Sequence, residues 1–127
     1  MQKAILFIEE PACNETPFAG AVQELQRKDV SCSVCTPEDA VENLRRRTFA
    51  LAVIKINCPD ERLVDIMRAI LDVQSALPIL VVSMQTMQRN AVRLLRQGAN
   101  AYVQRESLGT ELLNAVDYVL RGHRYIS

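Results

Sequence analysis

Tryptophan is absent from this chain, glycine occupies 4 of its 127 positions, and aromatic residues make up only 5%. The four cysteines are too few and too scattered for a disulfide framework in a chain of this length. No apolar run approaches the roughly 20 residues that cross a bilayer, and the amino terminus lacks the basic start and long apolar stretch of a signal peptide. These absences exclude a disulfide scaffold and a membrane-spanning protein. We expect a cytoplasmic location.

An excess of charge of either sign is also missing. Lys+Arg and Asp+Glu are equal at 15 each. The chain therefore has no net basic field of the kind that holds proteins on nucleic acid or anionic lipid. Hydrophobic residues at 49% and charged residues at 24% are typical of a globular protein. The length suits one domain, which we expect to span residues 1–127.

Short apolar runs rich in β-formers alternate with amphipathic helical patterns along the whole chain. The predicted strands are Ala4 to Ile8, Val30 to Cys35, Ala50 to Ile56, Ile79 to Ser83 and Ala101 to Gln104. Helices are predicted to begin at Thr16-Pro17 and Thr36-Pro37, and to span Asp60 to Ser75, Met87 to Gln97 and Leu108 to Arg121. Five such units predict an α/β domain, (βα)5, with a doubly wound parallel sheet covered by helices on both faces.

Residues at the predicted helix ends support this organisation. Thr16 and Thr36 each precede a proline, so each can cap free N–H groups where proline needs no partner. Gly98 and Gly122 follow the last two helices, where a left-handed C-cap favours glycine.

In a doubly wound sheet the site lies at the carboxyl ends of the strands, and segments there carry a family resemblance. The chain resembles, over nearly its full length, the receiver domain of bacterial two-component response regulators, in the branch joined to LuxR-type helix-turn-helix domains. The resemblance implies the flavodoxin-like receiver fold and a role in signal transduction. It rests on ILFIEE (5–10), LAVIKINCP (51–59), ILVVSM (79–84), GANAYVQR (98–105) and RGHRYIS (121–127).

The resemblance also implies a phosphorylation site, and the residues at the family's positions depart from it. The family's acidic pair after the first strand, which holds Mg²⁺, corresponds to Glu9 and Glu10. Their side chains are one methylene longer than aspartate, while Mg²⁺ demands near-ideal octahedral geometry. The family's phosphoacceptor aspartate corresponds to Lys55, whose ammonium cannot form an acyl phosphate. We therefore expect no metal, no cofactor and no catalytic residue.

Three further positions complete the degenerate site implied by the resemblance. Arg105 corresponds to the family's lysine after the fifth strand. It has a planar guanidinium group in place of the compact ammonium of lysine. Ser83 matches the hydroxyl residue that contacts phosphate, and Tyr102 matches the aromatic switch position. Ser83 and Tyr102 are therefore the site residues that keep the residue types of the family.

The same residues suggest an arrangement without phosphate or metal. Lys55 and the acidic pair lie on neighbouring strands of the expected sheet, so the ammonium can pair with Glu10 or Glu9 and replace the ion. The alternative is that the Lys55 stem lies along the rim and carries the ammonium into solvent.

The function we expect is that of a phosphorylation-independent interaction module, serving as the N-terminal regulatory part of a transcription regulator. Its partners would be a second copy, forming a homodimer, or another signalling protein. It would bind DNA only through a C-terminal domain outside this chain, and no membrane. The resemblance suggests dimerisation through the fourth and fifth helices or the first and fifth, and helical spacing assigns the surface to Arg89, Arg93, Arg96, Glu111, Asp117, Tyr118 and Arg121.

Other functions stay open. In a stand-alone adaptor or redox sensor, Cys13 and Cys58 would lie in neighbouring loops after the first and third strands. An enzyme could use Lys55 as a base or imine-forming nucleophile, although an ammonium beside two acids should keep its proton. Cys32 and Cys35 have the spacing of a redox or zinc pair, but residues three apart on a strand face opposite sides.

Overall fold

The computed structural model describes residues 3–9, 18–55, 60–83, 91–104 and 108–126. Its strands are β1 (Ala4–Glu9), β2 (Ser31–Cys35), β3 (Leu51–Lys55), β4 (Ile79–Ser83), β5 (Ala101–Gln104) and β6 (Tyr125–Ile126). Its helices are α1 (Phe18–Arg27), α2 (Pro37–Arg46), α3 (Asp60–Val73), α4 (Ala91–Arg96) and α5 (Leu108–Leu120). Strands and helices thus alternate as the sequence predicts.

The strands form one sheet in the order β2-β1-β3-β4-β5-β6, and every neighbouring pair is parallel. This is the doubly wound α/β fold, and the prediction of its class is confirmed. In this order β1 and β3 are neighbours, so their carboxyl ends meet at the middle of one sheet edge.

A sixth strand, β6, was not predicted. Gly122, with φ of +91°, follows α5, and the N–H of His123 donates to the carbonyl of Tyr118 as the helix closes. The chain then turns back, and the Tyr125 N–H donates to the Asn100 carbonyl at 3.2 Å. Two residues are too few to produce a hydrophobic pattern, so the sequence carries no strand signal there.

Two apolar layers enclose the sheet. On one face, Leu6, Ile8 and Ile54 pack with side chains from α2, α3 and α4. On the other face, Phe7 and Val53 pack with side chains from α1 and α5. Alternate residues of one strand therefore enter different cores, which explains why the central strands are apolar without interruption.

The helix ends agree with the sequence in part. Gly98 and Gly122 both have positive φ, as their predicted C-cap positions require. Pro37 opens α2, but the Thr36 side chain makes no cap hydrogen bond, so the predicted hydroxyl cap is wrong. The predicted helix starts at Thr16-Pro17 and Met87 lie outside the described residues.

A search for membrane spans within the described ranges finds no helix both long and apolar enough to cross a bilayer.

Candidate functional site

The carboxyl ends of β1 and β3 bring a carboxylate and an ammonium together. Glu9 is the last residue of β1, Lys55 is the last residue of β3, and the two are register partners. Lys55 Nζ lies 3.8 Å from Glu9 Oε2. The Lys55 side chain is 0% exposed and the Glu9 side chain 20% exposed. Of the two acids predicted as partners, Glu9 lies beside the ammonium and Glu10 lies outside the described residues, and the solvent-exposed pose of Lys55 is wrong.

This contact is an ion pair without a hydrogen bond. Glu9 Oε2 is buried and accepts no hydrogen bond from the described residues. Coulomb attraction between buried charges is offset by the loss of hydration, so the pair as a whole contributes little to stability. Removing one partner is far more costly, because it leaves the other charge buried without compensation. The ammonium is therefore held in place by its counter-charge.

The remaining members of the predicted site are placed in part. Tyr102 lies on β5 with 4% exposure and belongs to the same apolar cluster as Ile54 and Val81. Ser83 ends β4, with its side chain outside the described part. Glu10 and Arg105 lie outside the described residues. What the structure brings together is thus Glu9 and Lys55.

The predicted surface on α4 is accessible where it is described. Arg93 and Arg96 lie in the last turn of the helix and both are exposed. Arg93 Nη1 lies 3.7 Å from Glu61 Oε1 on α3. Arg89 lies outside the described residues. An exposed pair of this kind contributes at most about 1 kcal/mol.

The predicted surface on α5 contains a compact exposed patch. Tyr118 is 47% exposed and stacks on Tyr125 of β6, with ring centroids 5.4 Å apart. His123 approaches the Tyr118 ring edge-on at 6.4 Å. Beside them, Arg121 Nη2 pairs with Asp117 Oδ2 at 3.2 Å. Sequence reasoning found Asp117, Tyr118 and Arg121 but missed Tyr125 and His123, because the return of β6 onto the sheet was not foreseen.

Glu111, which sequence analysis assigns to the same surface, is only partly exposed. Its side chain is half-buried, and Oε2 is buried without a hydrogen bond from the described residues. Partial burial raises the pKa of Tyr125, and the Glu111 carboxylate raises it further through its charge and by accepting a hydrogen bond from the phenol. The Glu111 carboxylate therefore lies near Tyr125 of β6.

The two described thiols favour a structural role. Cys32 packs against the apolar cluster of one sheet face and Cys35 against that of the other, which confirms that they cannot form a common site. Burial raises the pKa of Cys32, and burial together with the charge of Asp39 raises the pKa of Cys35 to about 11. Both thiols are therefore protonated near neutral pH, whereas a reactive cysteine is a thiolate.

No cluster of potential metal ligands occurs within the described ranges. Cys13 and Cys58, the predicted redox pair, lie outside them.

The family model of the response regulator receiver domain matches residues 5–117. The chain belongs to that family. This agrees with the parallel sheet and with the position of the charged cluster at the carboxyl ends of its central strands.

Solved structures show the same fold. A two-component response regulator of the LuxR family from Aurantimonas sp. SI85-9A1 matches with a TM-score of 0.79 and 22% identity, over 100% of this chain and 91% of that one. The non-phosphorylated receiver domain of the stress response regulator RcsB from Escherichia coli matches with a TM-score of 0.79 and 14% identity, over 100% of this chain and 99% of that one. A CheY-like receiver domain protein from Methanospirillum hungatei JF-1 matches with a TM-score of 0.78 and 18% identity, over 96% of each chain. Comparison with curated proteins finds no matching sequence.

Proposed function

We propose that this chain is an atypical receiver domain that signals without aspartyl phosphorylation, as the regulatory part of a transcription regulator. The supporting observation is the buried ammonium of Lys55 beside Glu9, with Nζ to Oε2 at 3.8 Å. A phosphoacceptor must present a carboxylate to the phosphate donor. Here the residue that ends β3 is a fully buried cation.

The charge arrangement also weighs against a bound Mg²⁺ at this position. A divalent cation needs carboxylate and water oxygens in octahedral array. Glu9 already shares its buried oxygen with an ammonium, and a second positive charge placed nearby would be repelled. The lysine thus supplies permanently the positive charge that a metal supplies in transient signalling.

Without a phosphorylation step, the domain acts through its surface. The α5 patch of Asp117, Tyr118 and Arg121 offers an exposed aromatic ring next to a pair of opposite charges. Aromatic residues and arginine are enriched at protein interfaces. Two copies related by a two-fold axis could exchange partners between Asp117 and Arg121, so the patch suits a homodimer.

Analytical ultracentrifugation tests the dimer. We expect Tyr118→Lys to shift the chain toward monomer, while Val92→Ser, at an exposed apolar position on α4, leaves the assembly unchanged. Equal sedimentation of wild type and Tyr118→Lys across the concentration range would contradict the α5 interface. A shift toward monomer with Val92→Ser alone would show that the interface lies on α4.

The Lys55→Asp variant tests how far the site is remodelled. We expect no Mg²⁺-dependent phosphoryl transfer from acetyl phosphate, as judged by intact mass, because both acids and the basic residue at position 105 also differ from the family pattern. Gain of one phosphoryl group by Lys55→Asp would show that the lysine alone blocks the chemistry.

The regulatory role is tested by the size of the native product in its source cells, from immunoblotting and intact mass. A product clearly longer than this chain supports an attached output domain. A product ending at Ser127 would instead favour the stand-alone adaptor.

A further inference from the structure

The strand β2 forms one end of the described sheet, and its outer side pairs with no other described strand. Its sequence, SCSVC, contains neither charge nor proline. All five residues are register partners of β1 without interruption, so the strand carries no bulge. Charges, prolines and bulges are the devices that normally protect an exposed edge from pairing. Every residue of β2 is at least partly exposed, with Val34 at 54%. The edge is therefore suited to accept another strand.

A cavity of about 380 Å³ lies at the carboxyl end of this same strand. The pairing of Ile8 with Cys35 makes Glu9 and Thr36 the next residues along the two strands. Val34 and Cys35, the last two residues of β2, line the cavity, so it adjoins the carboxyl end of this strand. It is lined by Glu9, Val34, Cys35, Thr36, Asp39 and Asn43.

The polar groups of this cavity are mostly acceptors. Glu9 and Asp39 contribute carboxylates, and none of the described lining residues is basic. Thr36 is not engaged in capping α2. The Asn43 side-chain amide donates to the Asp39 main-chain carbonyl at 2.9 Å, which leaves its own oxygen as an acceptor. The negative field of Asp39 also raises the pKa of the neighbouring Cys35 thiol. Such a lining favours a cation with several N–H donors, and a guanidinium meets that description best.

We propose that the β2 edge and this cavity together bind an extended segment of a partner protein that carries an arginine. The segment adds to the sheet as a strand beside β2, held by main-chain hydrogen bonds, and its arginine enters the cavity toward Asp39, away from the Lys55–Glu9 pair. The cavity supplies the selectivity, because the uncharged edge itself distinguishes no sequence. This site is separate from the α5 patch and does not depend on whether the domain is phosphorylated.

Fluorescence anisotropy with labelled peptides tests the proposal on the full chain. The probes are short alternating Thr/Val peptides with one arginine, placed at the carboxyl end for parallel addition or at the amino end for antiparallel addition. We expect one of the two to bind. Replacing its arginine by citrulline should weaken binding, and N-methylation of its outward backbone nitrogens should abolish it, because each change removes one of the two proposed interactions.

Matched variants of the first turn of α2 locate the arginine. Glu38 and Asp39 are both acidic and exposed, but only Asp39 lines the cavity. We expect Asp39→Asn to weaken the peptide about threefold to fivefold at low ionic strength, the range of a partly exposed ion pair, and Glu38→Gln to leave it unchanged. Circular dichroism of both variants checks that α2 is retained.

Three results of the peptide-binding measurements would overturn the proposal. They are absence of binding by either peptide at millimolar concentration, binding that survives N-methylation, and equal effects of Asp39→Asn and Glu38→Gln. Self-association of the chain that is lost on Val34→Lys would also overturn it, because the edge would then be occupied by a second copy.

Discussion

Lys55 and Glu9 end two neighbouring parallel strands, and the register that pairs their main chains also brings Nζ to 3.8 Å from Oε2. The buried ammonium is thereby held at the point of the sheet where the receiver family resemblance implies an aspartate. One consequence concerns stability, because the lysine has no access to water in this position. Its ammonium lies beside the Glu9 carboxylate, within ion-pair distance.

Glu9→Gln should therefore destabilise the fold by more than the loss of an exposed ion pair does, since it removes a carboxylate that lies beside a buried ammonium. Urea unfolding measures this change. Glu24→Gln, which removes the exposed pair with Arg27, is the control and should cost less than about 1 kcal/mol. The double variant Glu9→Gln/Lys55→Met should recover most of the loss, because no charge is then left uncompensated. Equal costs for Glu9→Gln and Glu24→Gln would contradict this account.

The positions of the central strands were predictable from sequence, because each of these strands is buried on both faces and therefore consists of an unbroken apolar run. The Lys55–Glu9 contact followed from the expected order of the strands. Which of the two acids would meet the lysine depends on register, which apolar runs alone do not determine. The strand β6 was not predictable, because two residues carry no hydrophobic pattern, and the cavity beside Asp39 was not predictable, because it depends on how α2 packs after β2.

The two glycines with positive φ provide a matched pair for testing the helix ends. A Cβ at Gly98 would lie 2.8 Å from Leu71 Cδ1, whereas a Cβ at Gly122 would meet nothing within 4 Å. Gly122→Ala should cost about 1 kcal/mol, the strain of a left-handed conformation. Gly98→Ala should cost about 2 kcal/mol or more, because overpacking adds to that strain. Thermal unfolding compares the two, and a larger loss for Gly122→Ala would show that α4 ends differently.

We predict a fall in the stability of the fold at alkaline pH, caused by ionisation of the Cys35 thiol. Burial and the charge of Asp39 raise its pKa from 9.0 to about 11, so the folded chain binds this proton more tightly than the unfolded chain. The resulting stabilisation is complete below about pH 9 and is lost as pH rises toward 11. Urea midpoints at pH 7 and pH 10 should therefore differ more for wild type than for Cys35→Ser. Parallel behaviour of the two proteins would contradict the shift.

We predict that Tyr125 and Tyr118 together hold β6 against α5. Their rings stack at 5.4 Å, and the Tyr125 phenol donates to Glu111. Tyr125→Phe should preserve the stack and remove only the phenol hydroxyl, so its effect on stability should be small. Tyr125→Ala should cost more, because the stack and the contact of β6 with the sheet are both weakened. Hydrogen exchange of the Tyr125 amide, which donates to Asn100, reports whether β6 has detached.

We predict that this receiver domain does not accept a phosphoryl group, and intact mass measures this most directly. The wild-type chain is incubated with acetyl phosphate and Mg²⁺ and its mass is recorded beside an untreated sample. We predict identical masses, because the residue that ends β3 is the buried ammonium of Lys55. A Mg²⁺-dependent gain of one phosphoryl group, lost on mild treatment with hydroxylamine as an acyl phosphate is, would contradict it.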